Sequence, residues 1–302
     1  MKKNIISIVM VLITFIACLC FSSSIIETSI YIVSFFYDYM FPSLIPMLIS
    51  LFILLDTGVL YYLAYFLQYI TLPLFKLNGY GALCILLAIL TGFPFSTIFI
   101  TKLYKENKLT KEEVYTLVCS LTIPSFSFIF TTIKNKISLN SFHIILLCLY
   151  GSSLILLFIL SRFLIKKSSF IYFKDIHLDV SKYIKNFSFS RSLKNNIITI
   201  TDSLTIILGT MVYFSVLTIF IKSIFHISNT MEGLIEFSFI SVQEASLNHL
   251  KSVIIILSFS SLSCLFQCSY ILEENGLKTI PLTLSKCLHP LLSICLFYIK
   301  KL

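Results

Sequence analysis

The chain has 302 residues, of which 57% are hydrophobic and only 12% are charged. Ordinary globular chains carry about 25% charged residues, so this chain has too few charges to cover the surface of a soluble protein. Together with a mean hydropathy of +0.95, the composition excludes a soluble domain, a disordered tail, a collagen and a coiled coil. It predicts an all-α, polytopic integral membrane protein.

The net charge of +9 comes from lysines in the gaps between apolar runs rather than from one basic patch. Arginine occurs only as Arg162 and Arg191, whereas phosphate recognition favours the arginine fork. We therefore expect no nucleic-acid partner. The nine cysteines all lie in apolar stretches. Cys264 and Cys268 are one helical turn apart and could suit a metal, but small apolar filler is the commoner role, so we expect no metal site.

Apolar runs follow one another along the whole chain. Residues 4–21 come after a basic start and are long enough to cross a bilayer core of about 30 Å, and we interpret them as an uncleaved first span. The other runs lie at about 30–56, 59–76, 80–101, 114–133, 141–165, 196–225, 232–249, 251–272 and 279–299. Together they predict about 8–10 transmembrane segments, of which 40–56 and 232–249 either span or re-enter.

The basic stretch 166–195 divides the chain into an N-terminal membrane half, 1–165, and a C-terminal membrane half, 196–302. We expect the stretch itself to be a cytoplasmic loop. If each run crosses once, this loop, the lysine-rich gap 102–111 and both termini fall on the cytoplasmic side, as lysine bias requires. Lys134 and Lys136 are exceptions, because they fall on the other side.

Four apolar runs contain helix-breaking residues. They are Pro42 and Pro46, then Thr91-Gly92-Phe93-Pro94, then Thr122-Ile123-Pro124-Ser125, and finally the serine-rich stretch 258–263. Backbone that is opened in lipid must be satisfied by protein groups or water. Breaks near midspan in both halves therefore indicate a transporter binding site, although Pro and Gly are also common in ordinary membrane helices.

The two halves resemble each other weakly. Each runs from a broken segment into a Glu-Asn turn, as KLYKENKLTKEEV from Lys102 and as YILEENGLKTIPL from Tyr270. This similarity predicts an internal repeat.

Several ionisable residues fall inside apolar runs, where a charge costs about 2.5–3.5 kcal/mol on insertion scales. They are Asp38, Asp56, Asp202, Glu236, Glu244, Lys286 and His289. We expect the first two near the interface and Asp202 in the first turns of a helix. Glu236 could bind a proton, a cation or a polar substrate group, or could simply be solvated. Lys286 and His289 share one helix face and could meet an anion, unless Lys286 snorkels to the interface.

The sequence carries none of the common enzyme signatures. H-E-x-x-H, G-x-x-x-x-G-K-[ST], G-x-G-x-x-G and G-x-S-x-G are all absent. We therefore expect no enzyme, no catalytic residue, no cofactor and no transport that is driven by ATP within this chain.

Four blocks of sequence carry a resemblance to a known family. They are MFPSLIPMLISLFIL (40–54), LNGYGALCILLAILTGFPFSTIFITKLYKENKLTKEEV (77–114), SLTIPSFSFIF (120–130) and LSFSSLSCLFQCSYILEENGLKTIPLTLSKCLHPLLS (257–293). The chain resembles the nucleoside-recognition, or Gate, family of membrane proteins, and within it the YlbJ-type sporulation integral membrane proteins. It departs from that family where small residues after the proline are replaced by Phe95, Ser96 and Thr97, and where paired glycines are replaced by Ser260 and Ser261.

The resemblance implies a transporter-like fold. It also implies that the protein moves dipicolinate, a small aromatic dianion, across the outer forespore membrane of a Gram-positive bacterium; the lysine, isoleucine and phenylalanine bias fits such an AT-rich genome. The alternatives are a carrier for a nucleoside or another polar solute, for which Glu236 and Gln267 would matter and Lys286 would not, and a sporulation membrane scaffold that transports nothing.

These observations predict substrate-binding residues at the helix breaks and at the polar positions near them. The predicted residues are Gly92, Pro94, Ser96, Thr122, Ser125, Glu236, Ser260, Ser261, Gln267, Lys286 and His289. The expected partners are a small-molecule solute and the lipid bilayer, with a homo-oligomer or other sporulation membrane proteins left open.

Overall fold

The computed structural model describes residues 2–134, 137–167, 169–241 and 250–301, and within these ranges the chain is helical with no strands. The N-terminal half contains α1 (Lys2–Cys20), α2 (Ser22–Phe35), α3 (Phe41–Thr57), α4 (Leu60–Phe75), α5 (Gly79–Thr91), α6 (Phe95–Lys105), α7 (Lys111–Leu121), α8 (Phe126–Thr132) and α9 (Leu139–Leu164). The rest of the chain forms α10 (Phe173–Asn186), α11 (Phe189–Ile224), α12 (Asn229–Ile235), α13 (Leu250–Phe259), α14 (Leu262–Glu274) and α15 (Ile280–Lys301).

Six stretches of helix in the described ranges are long and apolar enough to cross a membrane. They are Ser22–Thr57, Lys111–Thr132, Leu139–Leu164, Phe189–Ile224, Leu250–Glu274 and Ile280–Lys300. Helices α4 and α5 add a seventh if this pair, bent by 93°, counts as one span. The architecture is that of a polytopic membrane protein, as predicted.

Within the described residues, fewer spans are identified than the predicted 8–10. Two of the predicted runs, 59–76 and 80–101, are divided among α4, α5 and α6, of which only the bent α4–α5 pair qualifies as a span. Run 232–249 forms only the short α12 and a 3-10 turn, Phe237–Ser241, and its remainder lies outside the described residues. The first run forms α1, whose portion Ile8–Cys20 is a shorter apolar helix.

The first pair of prolines, for which a kink or a break was expected, does not end the helix. Helices α2 and α3 run on through a π-helical turn, Phe36–Met40, in which the Phe41 N–H donates to the Phe36 carbonyl. Pro42 lies in the first turn of α3 and Pro46 lies inside it. Because the widened turn comes just before Pro42, it accommodates the proline without ending the helix.

The other three predicted breaks are confirmed. Helix α5 ends at Gly92, whose φ of +66° is a left-handed conformation that suits glycine. Helix α7 ends before Pro124, and Ser125 caps α8. Helix α13 ends at Ser260 and Ser261, which both have positive φ (+68° and +57°). Such a conformation costs a non-glycine residue about 1–2 kcal/mol, so contacts elsewhere must hold the third break in place.

The predicted loop 166–195 is largely helical. It contains α10 and the first turns of α11. Helix α10 is amphipathic, since Ile176 and Val180 are buried while its lysines are exposed, and it packs on α3 and α4. Because α11 begins at Phe189, Asp202 lies well inside this helix rather than in its first turns, which corrects the prediction.

The core is built from both halves of the chain. Helix α15 packs on α7, α9 and α13, while α11 packs on α1, α2 and α3. One face of the C-terminal helix therefore packs on α7 and α9 of the first half, and this brings the face of α15 that bears Lys286 against the breaks. Of the remaining predicted charges, Asp38 is exposed, Lys134 stacks on Phe130, and Lys136 and Glu244 lie outside the described residues.

Candidate functional site

Three helix breaks meet at one place in the fold. The Phe93 N–H donates to the Ile123 carbonyl at 3.1 Å, and a Cβ added to Gly92 would lie 2.3 Å from the Ser125 nitrogen. The Ser260 hydroxyl donates to the Thr122 carbonyl at 2.9 Å. We call this meeting point of residues 92–94, 122–125 and 260–261 the break junction.

The backbone that opens at the second break is satisfied by groups from other segments. The Thr122 carbonyl accepts from Ser260, as above, and the Ile123 carbonyl accepts from Phe93. The Pro124 carbonyl accepts from the Tyr150 hydroxyl on α9 at 3.2 Å. Since buried backbone groups must find partners, the three contacts explain how a membrane segment tolerates non-helical backbone here.

Lys286 reaches the break junction from α15. Its Nζ donates to the Thr122 carbonyl and to the Ser260 Oγ, the latter at 3.0 Å. The residue is only 2% exposed, so the predicted alternative that it snorkels to the interface is wrong. Within the described ranges no carboxylate lies within 4 Å of this ammonium group. A buried cation that lacks a counter-ion is costly, and the junction therefore favours an anion.

A small enclosed cavity adjoins the Lys286 ammonium group. It is lined by Phe93, Thr122, Ser260, Cys264, Leu265, Cys268, Leu282 and Lys286. The Thr122 hydroxyl is buried and its Oγ1 has no hydrogen-bond partner, so a polar side chain at the cavity remains available. The cavity is too small for an organic solute in this conformation, and admission of one requires the helices around it to move apart.

Glu236 lies against the break junction on a different side. Its side chain is fully buried, which excludes the alternative that it is solvated. Its Oε1 accepts from the Ser238 N–H at 3.2 Å, and Ser263 also faces the carboxyl. Its Oε2 has no hydrogen-bond partner. The neighbouring Phe237 packs its ring on Phe93 and Phe128, with centroids 6.0 and 5.1 Å apart.

A larger cleft of about 520 Å³ opens beside the first break. Pro94 lines it together with charged and polar residues of α6, α11 and α14, namely Lys102, Lys105, Asp202, Gln267, Tyr270 and Glu274. The Gln267 Nε2 donates to the Thr210 Oγ1 at 2.5 Å. Gln267 thus belongs to this cleft and not to the lining of the cavity next to Lys286. Helices α6 and α14 are in contact between this cleft and the cavity. The contact joins the Thr97 Oγ1 and the Cys268 Sγ, which are 3.5 Å apart.

Other predicted site residues have local roles. Ser125 caps α8 by accepting from the Phe128 N–H at 3.1 Å, and Ser261 caps α14 by accepting from the Cys264 N–H at 3.4 Å. Ser96 is buried in the first turn of α6, with no partner for its Oγ. The ring of His289 points to α9, where its Nε2 lies 3.3 Å from the Leu149 carbonyl, so it does not join Lys286 at the junction.

Two groups of residues were missed at the sequence level. One is the pair of serines, Ser238 and Ser263, that faces Glu236; the only signal was the position of Ser263 two residues after the third break. The other is a cluster around Lys108, whose Nζ lies 3.0 Å from a Glu106 carboxylate oxygen and 3.9 Å from the centre of the Tyr61 ring. No spacing in the sequence indicates these pairings.

The described residues contain no group of three His, Cys, Asp or Glu side chains that could hold a metal ion. No family model, curated protein or solved structure matches the chain. A functional argument therefore depends on the geometry of the break junction and on the resemblance in the four sequence blocks.

Proposed function

We propose that the chain is a membrane carrier for a small organic anion and that Lys286 binds an anionic group of the solute. One observation carries this proposal: a buried ammonium group, whose partners among the described residues are a carbonyl and a hydroxyl, lies where three helices break. A carboxylate makes shorter and stronger bonds to an ammonium group than neutral acceptors do. An entering anion can therefore displace the weaker partners of Lys286.

The broken helices support anion binding in a second way. Helix α14 begins at the third break and α6 at the first, so their N-terminal ends, with partial positive charge, lie at the junction. The partnerless Thr122 Oγ1 adds a hydroxyl that can donate to an anion.

The difference in size between the cavity and the cleft supports a carrier rather than a channel. The cavity beside Lys286 has no room for a solute, whereas the cleft lined by Pro94 and Gln267 measures about 520 Å³. Contacts such as that between Thr97 and Cys268 separate the two. Rearrangement of α6 and α14 about their breaks would connect the cleft with Lys286, as alternating access requires.

The proposal includes a cytoplasmic side for the basic segments and a structural repeat of the two membrane halves. The Asp56 carboxylate accepts from Lys102 at 3.3 Å and from Ser192 at 2.7 Å. The gap 102–111 and the stretch 166–195 therefore meet at one end of the molecule, which supports a common cytoplasmic side. Helix α6 begins after a break in the N-terminal half, and α14 begins after a break in the C-terminal half. This correspondence supports two repeated halves. Labelling of single cysteines at 105 and 185 from either side of the membrane tests the orientation.

Dipicolinate is the first anion to test, because the family resemblance implies it. The transport experiment measures uptake of labelled pyridine-2,6-dicarboxylate into proteoliposomes. They contain the wild type, Lys286→Gln or Lys300→Gln. The last is the matched control, because Lys300 is exposed at the end of the same helix. We expect uptake by the wild type and the control, and little by Lys286→Gln. Uptake that Lys286→Gln leaves unchanged would contradict the proposed site.

The sporulation setting needs its own experiment. A strain that lacks the gene should form spores depleted of dipicolinate while the mother cell still makes the compound. Normal dipicolinate in such spores would exclude this substrate in this setting.

A carrier for a neutral polar solute, such as a nucleoside, is the second candidate. The observation in its favour is the cleft, where Gln267, Tyr270 and Asn275 offer uncharged hydrogen-bonding groups. Uptake of labelled uridine that depends on Gln267 and not on Lys286 would favour it. Proteoliposomes that move neither solute would instead favour a membrane scaffold.

A further inference from the structure

Glu236 is a buried carboxyl group that the binding of an anion at Lys286 does not use. Its side chain has 0% exposure, and it follows α12 directly, beside the break junction. One carboxyl oxygen accepts a backbone N–H and the other has no partner. A buried carboxylate without a cation is costly, whereas a protonated carboxyl is neutral and can donate a hydrogen bond.

The ionisable groups on the surrounding elements do not neutralise Glu236. On α12, Glu232 is paired with Lys222 of α11 at 2.9 Å. On α13, Lys251 donates to the Tyr298 hydroxyl at 2.7 Å. On α14 the ionisable neighbour is Cys264, a buried free thiol that carries no positive charge. Glu244 and His249 lie outside the described residues.

The hydroxyl groups around Glu236 suit a proton. Ser263 faces the carboxyl, and the Ser263 Oγ, like the Glu236 Oε2, has no hydrogen-bond partner within 3.5 Å. A proton on Oε2 would turn this oxygen into a donor, for which the Ser263 Oγ is the nearby acceptor. A metal cation would need several oxygen ligands, and the described residues near Glu236 supply one carboxyl group and two serines.

We propose that Glu236 binds a proton that is transported together with the anion held at Lys286. An O–H bond forms at Oε2 when the site is loaded from one side and breaks, with release of the proton to water, when the site opens to the other side. No redox change or leaving group is involved. The arrangement joins the cationic and the protonatable group through α14, whose Ser263 faces Glu236 and whose Cys264 lines the cavity next to Lys286.

Charge supports this coupling. Lys286 supplies one positive charge at the junction, while a dianion such as pyridine-2,6-dicarboxylate carries two negative charges. A proton that enters with the dianion brings the loaded site closer to neutrality, which lowers the cost of moving it through the low-dielectric interior. The inference depends on the proposed function, because it names the ion that is coupled to the same anion.

The test is uptake of labelled pyridine-2,6-dicarboxylate into sodium-free proteoliposomes, with the membrane potential clamped to zero and the outside more acidic. One coupled proton allows accumulation of about tenfold for each pH unit of gradient. We expect the wild type to approach this ratio. We expect Glu236→Gln to lose accumulation while it still exchanges internal for external anion, because Lys286 is intact. Glu232→Gln is the matched control and should keep the response to the gradient.

A second variant guards against misfolding of Glu236→Gln. Ser263→Ala removes the hydroxyl group that faces the carboxyl and keeps Glu236 itself, so the variant should still accumulate the anion, with half-maximal uptake at a different pH from the wild type. Anion uptake that ignores the proton gradient, that requires sodium, or that keeps its gradient response in Glu236→Gln would overturn the proton site alone. A wild type that moves no anion, either in the sodium-free vesicles or after sodium is added, would overturn the proposed function and this inference with it.

Discussion

Two lysines of this protein have opposite surroundings. Lys108, which is partly buried between α6 and α7, lies 3.0 Å from a carboxylate oxygen of Glu106 and donates to the Tyr183 hydroxyl at 2.9 Å. The rings of Tyr61, Tyr80 and Tyr183 surround its ammonium group at 3.9, 5.2 and 4.7 Å. Lys286, which is buried at the break junction, is bonded among the described residues to a backbone carbonyl and to the hydroxyl of Ser260.

The difference shows how to separate a structural lysine from one that is available to a ligand. The charge of Lys108 is balanced by the carboxylate and by the aromatic faces, so it holds α10 and the neighbouring helices together. The charge of Lys286 is not balanced by any carboxylate of the described residues. In the proposed function, an anionic solute supplies the counter-ion that Lys286 lacks.

The largest predicted effect comes from replacing each of these lysines with methionine. Loss of one partner from a buried charge pair costs about 2–5 kcal/mol, so Lys286→Met should lower anion uptake by roughly a hundredfold. Lys108→Met should leave uptake near the wild-type level, although it weakens the tyrosine cluster. Proteoliposome uptake, normalised to inserted protein, measures both. Equal losses in the two variants would remove the distinction.

The packing of the first break against the second can be tested with two glycines that both have a positive φ. Gly92 and Gly276 have φ of +66° and +68°, but a Cβ at Gly92 would meet the Ser125 nitrogen at 2.3 Å, whereas a Cβ at Gly276 meets nothing within 4 Å. Gly276→Ala should cost about 1–2 kcal/mol, the conformational penalty alone.

Gly92→Ala should cost more than Gly276→Ala, because backbone must also shift at the break junction. Unfolding in detergent, followed by circular dichroism, gives the two values. Similar losses for both variants would mean that the junction is not packed as described.

The hydroxyl of Thr122 offers a smaller test of the anion site. Its Oγ1 is buried without a partner, so Thr122→Val removes an unsatisfied polar group and should not lower stability. If the hydroxyl donates to the bound anion, affinity should fall by about five- to tenfold. Thr122→Ser keeps the hydroxyl and serves as the control. Affinities from uptake kinetics that are the same in the wild type and both variants would exclude this contact.

The smallest predicted effect concerns the other lysine. Tyr183→Phe removes the hydroxyl that accepts from Lys108 and donates to Glu106 at 3.0 Å. The expected cost is about 1 kcal/mol, with faster amide hydrogen exchange in α10 and unchanged anion uptake. A clear fall in uptake would show that the basic cluster takes part in transport.

The helix breaks were predictable because their signals are local. Glycine and proline at 92–94, proline at 124 and serines at 260–261 all interrupt a helix through the conformation of their own backbone. At Pro42 the helix does not break, because the chain accommodates this proline next to a π-helical turn. A pattern of residues does not distinguish a break from such a turn, since both remove the same hydrogen bonds.

The convergence of the breaks was not predictable, because it depends on contacts across long stretches of sequence. Lys286 and Thr122 are 164 positions apart, and Lys108 and Tyr183 are 75 apart. The sequence predicted a loop where α10 forms, because the lysines of this segment indicate a solvated stretch. Its buried stripe consists of only Ile176 and Val180. His289 shares a helix face with Lys286 by spacing, yet its ring lies against α9.

The most direct test of the account is equilibrium binding of labelled pyridine-2,6-dicarboxylate to the purified protein in detergent. The wild type and Lys300→Gln should bind it saturably, and an excess of uridine should not compete. Lys286→Gln, at equal thermal stability, should bind it at least tenfold more weakly. Equal affinity in Lys286→Gln and the wild type would contradict the central claim that the unpaired lysine at the break junction holds the anion.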